Sequence, residues 1–199
     1  MEKSFRLHLS ALALLLLLPL GLLAQHRSDG LDDVLQHIPM ATVFALKAAD
    51  YWADDAGWDH LDSRSTWLEL TATAVASYVV AAGVSYSLKQ MVGERRPDHS
   101  DHRSFPSGHA TFAFAGATML WHEWGHLSPW VTVGGYGLAT LVSIDRVVRD
   151  RHYLHDVVAG AAIGFAATEL TYYVRKHIIK NDNVALTFTG NTLDLAVRF

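Results

Sequence analysis

Three short blocks of this 199-residue sequence combine cations, histidines and a carboxylate. They are Lys89-x6-Arg96-Pro97, Pro106-Ser107-Gly108-His109 and Arg146-x5-His152-x3-Asp156. Basic side chains neutralise the oxygens of a phosphoryl group, and the planar fork of arginine binds two of them at once. Positioning and charge stabilisation are most of what phosphoryl transfer requires. The blocks therefore indicate a site that binds a phosphoryl group and cleaves its ester bond.

The middle block predicts a helix start that binds the phosphate. Backbone N–H groups and the positive end of the helix dipole favour an anion there, so we expect Ser107 and Gly108 to contact it. Gly108 allows a close approach because it has no side chain. Lys89, Arg96 and Arg146 would neutralise the remaining phosphoryl oxygens.

Two histidines and an aspartate are candidates for the nucleophile and the general acid. Asp156 follows His152 by four residues. A carboxylate that accepts a proton from one imidazole nitrogen fixes the tautomer and leaves the other nitrogen to attack. We expect His109 on the opposite side, where it would protonate the leaving alkoxide.

Four apolar segments must position these blocks. They are residues 67–88, 107–121, 130–144 and 157–174, and all are rich in Ala, Gly and Val. Small residues let helices pack closely. If these four helices pack antiparallel in chain order, the three blocks all lie at the same end of the bundle. An amphipathic pattern over 34–52 adds a further helix.

The predicted fold is all-α, an antiparallel bundle of about five to six helices with a short C-terminal β-hairpin. Alternating residues at 184–188 and 193–199, around Gly190-Asn191, predict this hairpin within 183–199. We expect one helical domain over 26–199, with its catalytic core at about 67–175. Residues 1–25 have a basic start and an apolar stretch, which is typical of a signal peptide or of an N-terminal membrane anchor.

The three blocks resemble the signature of the type 2 phosphatidic acid phosphatase superfamily, which includes bacterial acid phosphatases and vanadium haloperoxidases. The resemblance covers about residues 67–175. It implies a phosphohistidine intermediate on His152, which water hydrolyses, with no metal and no other cofactor. One position departs from the family pattern: Asp145 precedes Arg146, where the family usually has a small residue. Asp145 could pair with Arg146 and weaken phosphate binding, or turn toward Arg149. The loop over 98–105 is short, so a bulky head group could enter.

A different class of enzyme is indicated by His122-Glu123-x-x-His126, which matches the His-Glu-x-x-His pattern of zinc metalloproteases. That chemistry requires both histidines on one helix face. Here Gly125 interrupts the motif and Pro129 follows closely, so the helix should end before His126. Loop histidines at 99, 102 and 155 rim the expected phosphate pocket and could instead form a metal cluster.

Composition limits the partners. The net charge of −4 argues against nucleic acid, and the chain has no cysteine, which excludes disulfides and thiolate chemistry. The sequence defines no oligomeric state. Half of the residues are apolar and the mean hydropathy is +0.14, which suits either a helical bundle or a modest membrane protein.

We favour a bacterial-type envelope enzyme in the inner membrane with its site facing the periplasm. Basic residues after the last apolar segment would then face the cytoplasm. A soluble or peripheral periplasmic protein, released by signal cleavage, is the alternative. The resemblance implies a lipid phosphate as substrate: phosphatidate, phosphatidylglycerophosphate, a polyprenyl diphosphate or lipid A. A nonspecific acid phosphatase and a vanadium haloperoxidase are the other possibilities within the superfamily.

Overall fold

The structure, a computed structural model, describes residues 33–55, 65–179, 184–188 and 193–197. These residues form five α-helices, which are α1 Ile38–Asp55, α2 Trp67–Val92, α3 Gly108–Trp124, α4 Pro129–Val148 and α5 Leu154–Val174. A π-helical turn, Arg175–Ile179, continues α5. Strands β1 Val184–Phe188 and β2 Leu193–Val197 pair antiparallel. The predicted helical bundle with a C-terminal hairpin is confirmed.

The helices are longer than the apolar segments that predicted them. α2 runs four residues past residue 88, and α4 runs to Val148 instead of 144. Their last turns are partly polar, so the apolar pattern stops before the backbone does. α2 ends at Gly93, whose φ of 61° is left-handed and whose N–H donates to the carbonyl oxygen of Lys89.

Local side-chain contacts set the helix starts that matter for the site. The Ser107 hydroxyl accepts from the N–H of Ala110 at 3.4 Å, which caps α3. Asp156, in the first turn of α5, accepts through Oδ2 from the N–H of the N-cap residue Tyr153 at 2.8 Å. The same two helix starts carry the second and third sequence blocks.

α3 is the central helix and packs against α1, α2, α4 and α5. Its alanines at 110, 113, 115 and 117 are fully buried. α5 lies very close to α3, since a Cβ on Gly160 would collide with the carbonyl oxygen of Ser107, and one on Gly164 with that of Thr111. These two glycines therefore set the separation between the helix that carries Ser107 and the helix that carries Asp156.

The largest apolar core lies toward the C-terminal end of α3. It consists of Met40, Val43, Leu46, Leu70, Ala74, Met119, Leu120, Trp124 and Val131. The buried Trp124 indole donates to the carbonyl oxygen of Val43 at 3.2 Å. This core fixes one end of the bundle and leaves the other end to the polar blocks.

Three helical segments are long and apolar enough to cross a membrane by length and composition: Trp67–Val92, Pro129–Val148 and Leu154–Ile179. Large apolar side chains point outward from them, among them Val79, Leu141 and Phe165. These features give the chain membrane character. The predicted signal or anchor at 1–25 and the predicted hairpin turn at Gly190-Asn191 lie outside the described residues. The domain boundaries stay predictions.

Candidate active site

Backbone contacts bring residues of all three blocks to one end of the bundle. The N–H of Ser107 donates to the carbonyl oxygen of Asp156 at 3.0 Å, which joins the starts of α3 and α5. The N–H of His152 donates to the carbonyl oxygen of Arg146 at 3.2 Å, across the turn between α4 and α5. Lys89 Nζ donates to the carbonyl oxygen of Pro106. The spacing argument thus corresponds to real proximity, whereas the chemical role of each residue stays a prediction.

His152 and Asp156 are both buried, with side-chain exposures of 3% and 0%. His152 Nδ1 lies 3.5 Å from Asp156 Oδ2, which is longer than an ordinary hydrogen bond. The same carboxylate oxygen accepts from the Ser104 hydroxyl at 2.5 Å and from the N–H of Tyr153. Catalytic hydrogen bonds are often long without substrate. One imidazole nitrogen was expected to face the carboxylate, and in the structure it is Nδ1.

Burial lowers the pKa of His152 to about 4, and the positive charges of Arg96 and Lys89 act in the same direction. Asp156 opposes this shift but does not overcome it. The imidazole is therefore neutral at neutral pH. A neutral imidazole with one nitrogen beside a carboxylate retains a lone pair on its other nitrogen.

The first block holds the loop between α2 and α3. Lys89 Nζ donates to the carbonyl oxygens of Arg103 and Pro106. Arg96 donates through Nε to Asp101 Oδ1 at 2.8 Å and through its guanidinium to the carbonyl oxygen of Arg151 at 3.4 Å. Lys89 and Arg96 therefore hold the loop through hydrogen bonds, and their positive charges also lower the pKa of His152.

Arg146 is 4% exposed and forms an ion pair with its neighbour, Asp145, at 2.5 Å. Asp145 Oδ2 is also 3.8 Å from Arg149. The structure thus shows the first of the two orientations considered for Asp145, with a weaker second contact to Arg149. The Asp145 carboxylate therefore restricts the orientation of the Arg146 guanidinium.

The start of α3 places the rest of the second block. Ser107 was predicted to contact the phosphate. In the structure it is buried, and its hydroxyl caps α3. The space where a Gly108 side chain would lie is open, which leaves room for an anion at the helix start. His109 Nε2 lies 3.0 Å from Asp33 Oδ1, in the segment before α1.

The sequence argument missed two polar residues at this end. Ser104 is fully buried and its hydroxyl donates to the Asp156 carboxylate. Glu94 follows α2 and lies 3.0 Å from His155 Nε2. Glu94 lies at an unspecified position of the first block, and Ser104 lies between the first two blocks. Serine and glutamate are common residues, so their positions alone did not mark them as part of the site.

The protease motif has structural contacts instead of a metal-binding arrangement. α3 ends at Trp124, so His126 lies beyond the helix, as predicted. His122 pairs with Glu169 at 2.7 Å and stacks on Tyr172. Glu123 is 1% exposed and accepts hydrogen bonds from Ser65 and Tyr172. Glu123 Oε1 therefore belongs to a buried polar cluster that links α3 to α5 and to the segment before α2.

An apolar cavity of about 290 Å³ lies between α4 and α5, directly beside the turn that carries His152. It is lined by Phe114, Thr140, Ser143, Ile144, Val147, Val148, Leu154, Val157, Val158 and Ala161. Val147 and Val148 at the end of α4 and Leu154 at the start of α5 place the cavity on both sides of the turn that carries His152. An apolar chain attached to a bound phosphate would fit this position.

The chain is similar to a known family over more than half its length. The sequence profile of the PAP2 superfamily matches residues 70–180. Lipid A 1-phosphatase of Porphyromonas gingivalis is 30% identical over 151 residues, which is 76% of this chain and 32% of that protein. Decaprenylphosphoryl-5-phosphoribose phosphatase of Mycobacterium tuberculosis is 31% identical over 110 residues, or 51% of this chain and 56% of that protein. The matched part of the chain thus spans about a third of the length of the first relative and about half of the length of the second.

A solved structure agrees with the fold. The crystal structure of a transmembrane PAP2-type phosphatidylglycerolphosphate phosphatase from Bacillus subtilis superposes with a TM-score of 0.52. The two chains are 23% identical, and the match covers 88% of this chain and 87% of the other. The helical bundle is therefore the architecture of that family.

Proposed function

Because the chain belongs to the PAP2 superfamily, we propose that it is a phosphatase that removes a phosphate from a membrane lipid through a phosphohistidine on His152. The observation that supports this most is the buried imidazole itself. His152 is neutral at neutral pH, lies beside the Asp156 carboxylate and feels the positive charges of Lys89 and Arg96; its backbone N–H donates to the carbonyl oxygen of Arg146. A neutral nucleophile among cations suits attack on an anionic phosphorus centre.

The proposed reaction has two steps. In the first, His152 Nε2 forms a bond to phosphorus while the ester P–O bond breaks, and His109 gives its proton to the leaving alkoxide. In the second, water attacks phosphorus, His109 accepts a proton from that water, and the P–N bond breaks to release inorganic phosphate. Asp156 stabilises the imidazolium charge on His152 throughout. Lys89, Arg96, Arg146 and the start of α3 bind the phosphoryl oxygens.

Two features favour a lipid as the substrate. The apolar cavity between α4 and α5 is lined by residues on both sides of the turn that carries His152 and can hold part of an acyl or polyprenyl chain. The names of both curated relatives describe phosphatases of lipid-linked phosphates. The substrate class that we propose is a lipid phosphomonoester or diphosphate, with phosphatidate, phosphatidylglycerophosphate, polyprenyl diphosphate and lipid A as the candidates.

We further propose that the protein resides in the inner membrane with its site on the periplasmic side. Three helical segments are able to span a bilayer. Arg175 and Lys176 follow α5 at the end of the bundle away from the site. Basic residues at that end belong on the cytoplasmic side by the positive-inside rule.

The test is phosphate release in detergent micelles from a panel of lipid and soluble phosphoesters, with and without a chelator. We expect lipid phosphates to be preferred and the chelator to leave activity intact. Brief reaction with radiolabelled substrate should give an acid-labile phosphoprotein, which the His152→Ala variant lacks. Zinc-dependent activity that the chelator removes would overturn the proposal. Vanadate should inhibit, whereas robust bromination with vanadate, peroxide and bromide would establish a haloperoxidase.

A further inference from the structure

We propose that Glu94, His155 and Asp156 form a binding site for a divalent transition-metal ion of the zinc class, and that the bound ion inhibits the enzyme. The inhibitory part rests on the proposed phosphatase function. The binding part depends on the geometry of these three side chains alone.

The three side chains present one nitrogen and two kinds of carboxylate oxygen to a common point. His155 Nε2 lies 3.0 Å from both carboxylate oxygens of Glu94 and 3.2 Å from Asp156 Oδ1. One ligand atom from each residue can be chosen so that all lie within 4.8 Å of one another. Ligand atoms around a tetrahedral zinc ion are roughly 3.4 Å apart for metal–ligand bonds of about 2.1 Å. Small side-chain movements would therefore close the site.

The carboxylate of Asp156 gives an independent reason to expect a ligand. Its Oδ2 accepts hydrogen bonds from Ser104 and Tyr153, whereas its Oδ1 has no hydrogen-bond partner among the described residues. The side chain is fully buried, and a buried carboxylate oxygen that accepts no hydrogen bond is costly. This oxygen faces His155, on the side where the metal would lie.

The other two ligands are held in place before a metal arrives. The His155 ring stacks on Tyr153, with centroids 5.4 Å apart and planes at 8°, and also lies against Phe105. The backbone at Glu94 is fixed because its carbonyl oxygen accepts from the N–H of Ser104 at 2.9 Å. The His155 side chain is 57% exposed, so the site opens to solvent and leaves room for a water as fourth ligand.

Inhibition follows from the shared carboxylate. Asp156 presents Oδ2 to His152 and Oδ1 to the proposed metal. A divalent cation on Oδ1 withdraws negative charge from the carboxylate, which then stabilises the His152 imidazolium less well. The metal also replaces the proton shared between His155 and Glu94, since only a deprotonated ring nitrogen coordinates. The metal therefore acts as an inhibitor and not as a cofactor.

The experiment separates binding from inhibition. Metal-free protein in detergent is titrated with Co²⁺, whose visible absorption reports coordination, and Zn²⁺ is then added as a competitor. Phosphate release from a lipid phosphate is measured over the same range of Zn²⁺. We expect Glu94→Gln and His155→Gln to weaken Co²⁺ binding and Zn²⁺ inhibition at least tenfold. Activity of Glu94→Gln without metal should remain within twofold of the wild type.

Two matched variants serve as controls. Glu169→Gln makes the same charge change at the other end of the bundle, and His102→Gln removes an exposed loop histidine; both should behave as the wild type. Absence of Co²⁺ absorption, or equal Zn²⁺ inhibition in all four variants, overturns the proposal. If no phosphoester is hydrolysed, the proposed function fails, but the Co²⁺ titration still decides whether the site exists. His155 is exposed, so its variant remains informative even if Glu94→Gln impairs folding.

Discussion

Two buried carboxylates lie near opposite ends of α3, and their surroundings differ. Asp156 lies against the start of α3 and faces His152, a neutral histidine surrounded by cations. Glu123 lies in the last turn of α3, roughly 20 Å away along the helix. It accepts hydrogen bonds from Ser65 and Tyr172 and lies 3.5 Å from Arg175.

The difference separates a stabilising polar cluster from one arranged for chemistry. Arg175 also donates to Thr73, so the Glu123 cluster ties α2, α3 and the end of α5 together. The hydrogen bonds that the Glu123 side chain accepts from these neighbours all end on Oε1, whereas Oε2 has no hydrogen-bond partner among the described residues. At the other end, the cations gather around an imidazole with an available nitrogen, and open space remains beside Gly108. Groups needed for a ligand are left with capacity to bind one, and this can reduce stability.

The largest effect should come from Asp156→Asn. The amide retains much of the shape and an acceptor for Ser104, but it cannot stabilise a positive charge on His152. We expect kcat to fall by roughly 10³ to 10⁴, with thermal unfolding shifted only slightly. Single-turnover phosphate release provides the measurement. A loss smaller than tenfold would show that the carboxylate is not needed for the histidine to react.

Glu123→Ala should have the opposite profile. It removes the acceptor shared by Ser65 and Tyr172 and the partner of Arg175, so we expect the free energy of unfolding to fall by about 3 kcal/mol. The activity of the folded fraction should not change. Denaturant unfolding in mixed micelles measures this, and Glu169→Ala, a more exposed carboxylate, should cost less than about 1 kcal/mol. A large change in kcat would contradict this prediction, because it would show that the Glu123 cluster affects the site at the other end of the bundle.

The depressed pKa of His152 predicts a pH dependence of stability. The unfolded histidine titrates near 6.5 and the folded one near 4. Between these values the unfolded state binds more protons, so stability declines as pH falls from about 6.5 toward 4. The wild type should lose about 1.4 kcal/mol per pH unit more than His152→Gln in this range. Identical pH profiles would show that His152 titrates normally.

Asp145→Ala tests the residue that departs from the family pattern. Since Asp145 pairs with the buried Arg146, we expect it to orient the guanidinium for the transition state. Its loss should lower kcat/KM about tenfold, or about 1.4 kcal/mol. A lower KM with unchanged kcat would instead mean that Asp145 competes with phosphate. Arg149→Gln, which removes the longer contact at 3.8 Å, should have a smaller effect.

The smallest effect should come from Tyr172→Phe. This change removes one hydroxyl from the Glu123 cluster, while Ser65 and Arg175 remain. We expect a loss of about 1 kcal/mol in the free energy of unfolding and no change in kcat. Unfolding and kinetics on the same preparation would show this. A kinetic defect would contradict the assignment of this cluster to stability alone.

Local sequence patterns were sufficient for the helices and for their order. Residue periodicity and the helix start at Ser107 and Gly108 depend on residues close together in the chain, so they can be predicted without a fold. The apolar pattern placed some ends several residues too early, because hydrogen bonding continues through the polar last turns of α2 and α4.

By itself, the sequence determined which residues could handle a phosphoryl group and, through helix order, that they would meet at one end of the bundle. Only the tertiary structure decided which polar side chains pair with one another. Ser104 on Asp156, Glu94 beside His155 and Asp145 on Arg146 depend on loop paths and side-chain directions. The lowered pKa of His152 likewise arises from burial and from charges far away in sequence. Spacing along a helix predicts proximity, but partner choice among several nearby polar groups depends on the packed geometry.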